Sequence, residues 1–123
     1  MENKILIVED DQFVSELYEH QFTKQGFNVK VAFDGEAALA ASSSEKFDLV
    51  LLDMMIPKID GLQVLKKLKE EPNTKDIPVI ILSNLGQEDL IKEALEIGAK
   101  AYIVKSLYTP AQVVAEVRST LGV

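Results

Sequence analysis

The chain has no cysteine, no tryptophan and a single histidine, His20. Without thiols it has neither disulfides nor thiolate metal sites, and one imidazole cannot build a histidine cluster. No apolar run approaches the roughly 18 residues that signal a membrane-spanning helix. The start, Met1-Glu2-Asn3-Lys4, lacks the basic and then apolar pattern of a secretory signal. A soluble, cytoplasmic protein without membrane attachment is expected. Positive charge is also short: 13 Lys and Arg face 20 Asp and Glu, a net charge of −7. Direct binding of nucleic acid needs a basic face to neutralise phosphates, so it is not expected. Acidity also favours solubility, which is its plainest meaning.

What remains is ordinary globular material, 47% hydrophobic and 27% charged. A length of 123 residues matches the commonest size of a single domain, so one domain over residues 1–123 is expected. The most informative stretch is Leu49-Val50-Leu51-Leu52-Asp53, followed by Met54-Met55-Ile56-Pro57. Four consecutive apolar residues, with no polar alternation, predict a strand buried on both faces, the pattern of a parallel sheet. Asp48–Leu52 is read as the third strand. Lys4–Val8, Asn28–Ala32, Ile77–Leu82 and Ala101–Val104 are the others, the second being less apolar and so placed at an edge.

Helical patterns fall between the strands. Val14, Leu17, Tyr18, Gln21 and Phe22 recur at helical spacing, with Gly26 as the breaker. An alanine-rich helix follows Asp34-Gly35 and frays at Ser42-Ser43-Ser44. Leu62, Leu65 and Leu68 mark a third helix, its outer face carrying Lys66, Lys67, Lys69 and Glu70 and read as solvated. Leu90, Ala94 and Ile97 mark a fourth over roughly 87–97, with Gly98 after it. The last has Thr109 as N-cap, Pro110 at its first position, and Val113, Val114, Val117 and Leu121 on one face. Strands alternating with helices predict an α/β fold: a doubly wound, five-stranded parallel sheet of order 2-1-3-4-5, a flavodoxin-like three-layer sandwich.

In such sheets chemistry gathers beyond the carboxyl ends of the strands. The first strand ends in Glu9-Asp10, the third in Asp53, the fourth in Ser83 and the fifth in Lys105. Three carboxylates would therefore converge at the switch point. Unit charges ~4 Å apart repel by about 4 kcal/mol at an effective dielectric of 20, so such a cluster holds protons or a cation. Hard oxygen donors with no His or Cys point to Mg²⁺. A divalent ion beside a nucleophilic carboxylate suits phosphoryl transfer, with Lys105 and the Ser83 hydroxyl facing phosphoryl oxygens. Each group also has a blander role open to it. Asp11 reads as a helix cap and His20 as a surface residue, while turn, cap or solvated roles for Asp53, Ser83 and Lys105 fit less well with four strand ends matching at once.

The segments Ile5–Asp10, Leu52–Gly61, Val79–Ser83 and Gly98-Ala99 with Tyr102–Lys105 together resemble the receiver domain of two-component response regulators. The likeness covers nearly the whole chain, and its order and spacing are specific. It implies that Asp53 is the phosphoacceptor and that Glu9, Asp10, Asp53 and the backbone carbonyl of Met55 bind Mg²⁺. It further implies that Ser83 and Tyr102 are the switch pair and that Lys105 pairs with the phosphoryl group. A sensor histidine kinase or phosphotransfer protein would donate the phosphoryl group. A downstream effector protein or domain would read the state, and a homodimer could form through the last two helices. The chain would be no enzyme in the usual sense, catalysing only its own phosphotransfer and dephosphorylation. One departure is Ser106, where the family has a proline in a cis peptide; a cis bond before a non-proline residue costs ~2.5–4 kcal/mol, which favours trans here. Another is Asn84, where a small residue is usual, beside Leu85.

Two other classes compete. A phosphohydrolase working through an aspartyl phosphate would place a second Asp two residues after the first, where this chain has Met55, and would need a cap domain. A phosphorylation-independent interaction module on the same fold is the stronger alternative. Within the 123 residues no effector pattern is visible.

Overall fold

A computed structural model describes residues 2–123. It contains five strands: β1 (Lys4–Val8), β2 (Asn28–Ala32), β3 (Leu49–Leu52), β4 (Val79–Ser83) and β5 (Ala101–Val104). Five helices alternate with them: α1 (Gln12–Lys24), α2 (Gly35–Ser44), α3 (Gly61–Glu70), α4 (Glu88–Ile97) and α5 (Pro110–Leu121). All strand pairings are parallel, in the order β2-β1-β3-β4-β5. The doubly wound sheet and its order are as the sequence predicts, with β2 at an edge.

Helix starts are local chemistry. The side chains of Asp11, Asp34 and Asp60 accept from the backbone N–H groups of Val14 (3.1 Å), Ala37 (2.7 Å) and Gln63 (3.0 Å). Each satisfies an otherwise orphaned first-turn donor. Thr109 and Gln112 form a reciprocal capping box at α5, and Pro110 sits at its first position. Only α4 begins without a side-chain cap.

Alternation along the strands divides the core between the sheet's two faces. Leu6, Val8, Val50, Leu52, Val79 and Ile81 pack with Ala38 and Ala41 of α2, Val64, Leu65 and Leu68 of α3, and Ala94 of α4. Ile5, Ile7, Leu49, Leu51, Ile80, Leu82 and Ile103 pack with Tyr18 and Phe22 of α1 and the valines of α5. Burying one such side chain fully contributes about 1.5–3 kcal/mol. Several details differ from the sequence reading. The α2 helix does not fray at Ser42-Ser43-Ser44 but runs through Ser44, its serine hydroxyls donating to carbonyls three or four residues back. Asp48 lies outside β3, its carboxylate accepting from Lys4 N–H (2.7 Å). Ile77-Pro78 lies outside β4, whose pairing begins at Val79; the Pro78 carbonyl still accepts from Val50 N–H (3.0 Å). Leu17, assigned to the apolar face of α1, is 47% exposed, and Ser15 takes the inward place, its hydroxyl donating to the Gln12 carbonyl (3.0 Å). Helical spacing alone could not distinguish these neighbouring positions.

Candidate functional site

The register delivers the site. Val8 pairs with Leu52, so Glu9 and Asp53 each stand one residue beyond a matched pair on adjacent strands. The Asp53 backbone N–H donates to the Val8 carbonyl (3.1 Å), carrying this alignment past the strand end. Ser83 pairs with Val104, which sets Lys105 just beyond on the far side. Carboxylate oxygens of Glu9, Asp10 and Asp53 lie within 4.8 Å of one another. Glu9 and Asp53 are buried (5% and 7% exposed), whereas Asp10 faces solvent.

Lys105 crosses this cluster. Its Nζ donates to Asp53 Oδ2 at 2.9 Å and also to Glu9 Oε1. Asp53 Oδ1 accepts from Met55 N–H (3.1 Å), and Glu9 Oε2 from Asp11 N–H (3.1 Å). Burial pushes the Glu9 carboxyl above its ordinary value, against the opposing pull of Lys105 and the Asp11 N–H. For Lys105, burial alone would lower the ammonium, but its hydrogen bonds to Glu9 and Asp53 outweigh it and the net shift is upward. One ammonium therefore serves two buried carboxylates, and a third carboxylate stands open beside them. The arrangement is short of positive charge, with hard oxygen donors only, which suits a divalent cation.

Ser83 is fully buried, its Oγ accepting from Leu85 N–H (3.2 Å). The Tyr102 hydroxyl donates to the Leu85 carbonyl, fastening β5 to the loop after β4. Burial raises the Tyr102 phenol, opposed by the Ser83 hydroxyl nearby. Thus Glu9, Asp10, Asp53 and Lys105 meet directly, while Ser83 and Tyr102 meet at Leu85. The Lys105–Ser106 peptide is trans, since no peptide among the described residues is cis. Lys105–Leu107 form a single 3₁₀ turn. Asn84 is exposed and His20 lies on the surface.

Several neighbours of the site escape sequence reading. Tyr18, which helical spacing marks only as core, lies within electrostatic reach of both Lys105 and Glu9, and burial raises its phenol. Tyr108 packs partly buried just after the 3₁₀ turn. Phe13 (87% exposed), Phe33 (50%), Met55 (61%) and Leu107 (74%) are large apolar side chains left in water. All four stand in, or within a turn of, the segments that follow strand ends at the rim. The available signal was that Phe13 precedes the apolar stripe of α1 rather than joining it.

A family model described as the response regulator receiver domain matches residues 5–118. The transcriptional regulatory protein CpxR of Klebsiella pneumoniae is 41% identical over 119 residues, 97% of this chain and 49% of that protein. The alkaline phosphatase synthesis transcriptional regulatory protein PhoP of Bacillus subtilis is 36% identical over 121 residues, 98% of this chain and 49% of its own length. The chain thus spans about half the length of these curated relatives. Among solved structures, the BeF3-activated N-terminal receiver domain of Klebsiella pneumoniae RstA superposes with a TM-score of 0.89 at 35% identity, covering 97% of this chain and 98% of that one. A chain of the CheX–CheY–BeF3–Mg²⁺ complex from Borrelia burgdorferi gives 0.89 at 37% identity, covering 96% and 88%.

Proposed function

The chain belongs to the response regulator receiver domain family, and from that premise we propose that it is a phosphorylation-driven signalling switch with Asp53 as phosphoacceptor. The observation that carries the reading is the meeting of three strand-end carboxylates with one lysine bonded to two of them. In the transfer step, the P–N bond of a donor phosphohistidine breaks and its electrons stay on the imidazole, which takes a proton from solvent. A bond forms between phosphorus and an Asp53 carboxylate oxygen. Hydrolysis later returns the carboxylate and releases inorganic phosphate.

Glu9, Asp10, Asp53 and the Met55 carbonyl are the proposed ligands of Mg²⁺, with the oxygen-only donor set as the fit. A bound divalent ion would neutralise phosphoryl oxygens as charge shifts during transfer. The remaining work falls to the chain. Met55 N–H and Lys105 hold the two Asp53 oxygens in place, and Lys105 supplies a point charge for a phosphoryl oxygen. Ser83 Oγ offers a hydroxyl for another. Tyr102, held through Leu85, makes the loop after β4 answer to whatever Ser83 binds, biasing two arrangements of that loop.

The donor is a sensor histidine kinase or phosphotransfer protein, and the exposed apolar rim of Phe13, Phe33, Met55 and Leu107 suits its docking. The output surface is α4, β5 and α5, facing a downstream effector or a second copy of the chain. CpxR and PhoP are by name transcriptional regulatory proteins, so an effector acting on transcription is one form of this output. The receiver unit is taken as residues 1–123, working in the cytoplasm; no helix among the described residues is long and apolar enough to cross a membrane.

Incubation with acetyl phosphate and Mg²⁺, followed by intact-mass measurement, tests this. A single phosphoryl adduct is expected, absent in Asp53→Asn and absent when Mg²⁺ is chelated. No adduct on the parent protein would favour the phosphorylation-independent interaction module.

A further inference from the structure

The β2–α2 connection, taken from the last residue of β2 into the first turn of α2 (residues 32–36), supplies no group to the site, yet it touches both arms of it. On one side, Glu9 N–H donates to the Ala32 carbonyl (3.0 Å) at the end of β2. On the other, three residues later, Gly35 N–H donates to the Pro57 carbonyl (3.1 Å), in the loop that carries Met55. The approach at Gly35 is close enough to require glycine: a Cβ there would stand 2.1 Å from the Ile59 carbonyl oxygen and 2.7 Å from Ile59 Cβ.

The loop from Met54 to Asp60 is gripped at several points. Pro57 O also accepts from Ile59 N–H (2.9 Å) around Lys58, the one described non-glycine residue at positive φ (70°). The Lys58 ammonium lies 3.7 Å from Asp34 Oδ2, the cap of α2, and 3.4 Å from Glu36 Oε2. At the loop's far end Gly61 N–H donates to the Met54 carbonyl (3.0 Å), and a Cβ on Gly61 would stand 2.3 Å from Asp53 O. Between these anchors lies Met55, whose N–H holds Asp53 Oδ1.

We propose that the β2–α2 connection, through Gly35 against Pro57 and Ile59 and through Asp34 and Glu36 on Lys58, is a positioning strap that sets the spacing between the Glu9–Asp10 arm and the Met55 arm of the divalent-ion site. This rests on the metal reading given above. The strap works at second hand: it orients backbone and carboxylate donors without donating itself. Groups of that kind typically change metal affinity by about 10–100-fold when altered.

The test is the dissociation constant for Mn²⁺, read from the EPR signal of the free ion, on the full chain without phosphoryl donor. Gly35→Ala is expected to weaken Mn²⁺ by about tenfold. Val117→Ala, under the opposite face of the sheet, gives a destabilised control expected to keep the parent affinity. Lys58→Val covers the case in which Gly35→Ala fails to fold. It removes a positive charge from an acidic protein, which by simple Coulomb attraction would tighten a cation. The strap predicts the reverse, because a β-branched residue resists the left-handed conformation and the ties to α2 are lost. Weaker Mn²⁺ binding in Lys58→Val supports the strap; equal or tighter binding overturns it, as does an unchanged constant in folded Gly35→Ala. Equal weakening in Val117→Ala also overturns it, by showing a general effect of instability. A parent protein that holds no Mn²⁺ overturns the metal reading itself and the strap with it.

Discussion

The two ends of the sheet solve opposite charge problems with the same residue types. At the carboxyl end Lys105 is shared by Glu9 and Asp53, with Asp10 open beside them. At the amino end Glu45, just before β3, is shared by Lys4 and Lys30. One carboxylate between two ammoniums is held below its ordinary value, chiefly by the Lys30 hydrogen bond and then that of Lys4. One ammonium between two carboxylates leaves Glu9 raised by burial. The amino end carries one ammonium in excess, but its groups are partly exposed and water screens them. The carboxyl end is buried and short of one positive charge, the opening that the proposed divalent ion would fill.

Breaking the balance at the carboxyl end has the largest expected effect. Lys105→Met leaves two buried carboxylates without their partner, and urea unfolding at neutral pH should show a loss of about 3 kcal/mol, the low end for a broken buried pair. Excess Mg²⁺ should recover part of that loss in the variant. No recovery would count against a divalent-ion site. Next comes a purely structural bond near the opposite end. Thr74 is buried and donates to the Leu68 carbonyl (2.7 Å), so Thr74→Val should cost about 1–3 kcal/mol by stranding that carbonyl. Phosphorylation by acetyl phosphate should proceed at the parent rate.

Tyr102→Phe removes the hydroxyl from Leu85 and should cost about 1 kcal/mol. Unlike Thr74→Val, it should weaken the discrimination of any output partner between phosphorylated and unmodified protein, measured by titration of both forms. The smallest effects are pH slopes, and here the ends should tilt in opposite directions. Glu45, with its folded value depressed, adds stability at neutral pH that is lost as pH falls through that depressed value, below 4.5. Glu9, with its folded value raised, favours the fold most below 4.5 and loses that contribution as pH rises through the raised value. Urea midpoints measured against pH in chelated buffer should therefore fall somewhat less steeply on the acid side in Glu45→Gln than in the parent. The descent above pH 4.5 should shrink in Glu9→Gln. Parallel curves for the two variants would refute the contrast between the ends.

The carboxyl end was largely legible in the sequence because its groups sit where apolar runs stop. Val8, Leu52, Leu82 and Val104 each close or nearly close a buried strand, and in a parallel sheet strand ends share one edge. Among the helix caps, Asp11 and Thr109 with Pro110 are legible as helix starts, whereas Asp34 and Asp60 each stand directly before a glycine, a pairing that fits a turn as well as a cap. The amino end carries no such signal. Nothing in the spacing of Lys4, Lys30 and Glu45 announces a triad, since their meeting depends on the return path of α2. The same holds for Gly35 and Lys58, whose positions matter through a loop some twenty residues away in sequence. Leu17 fails for another reason: a helix with Phe13, Val14, Leu17 and Tyr18 offers more apolar positions than one face can bury.

The chain's three tyrosines, 18, 102 and 108, stand on or beside the elements that end at Lys105, and no tryptophan competes with them. Tyrosine emission from the native molecule comes from both faces of the sheet, Tyr18 and Tyr108 packing with the core under α1 and α5 and Tyr102 with the core on the opposite face. An ion arriving among the acids, or a phosphoryl group on Asp53, would alter that glow without any dye attached, and the Lys4–Glu45–Lys30 group at the far pole, which holds no tyrosine, would stay dark.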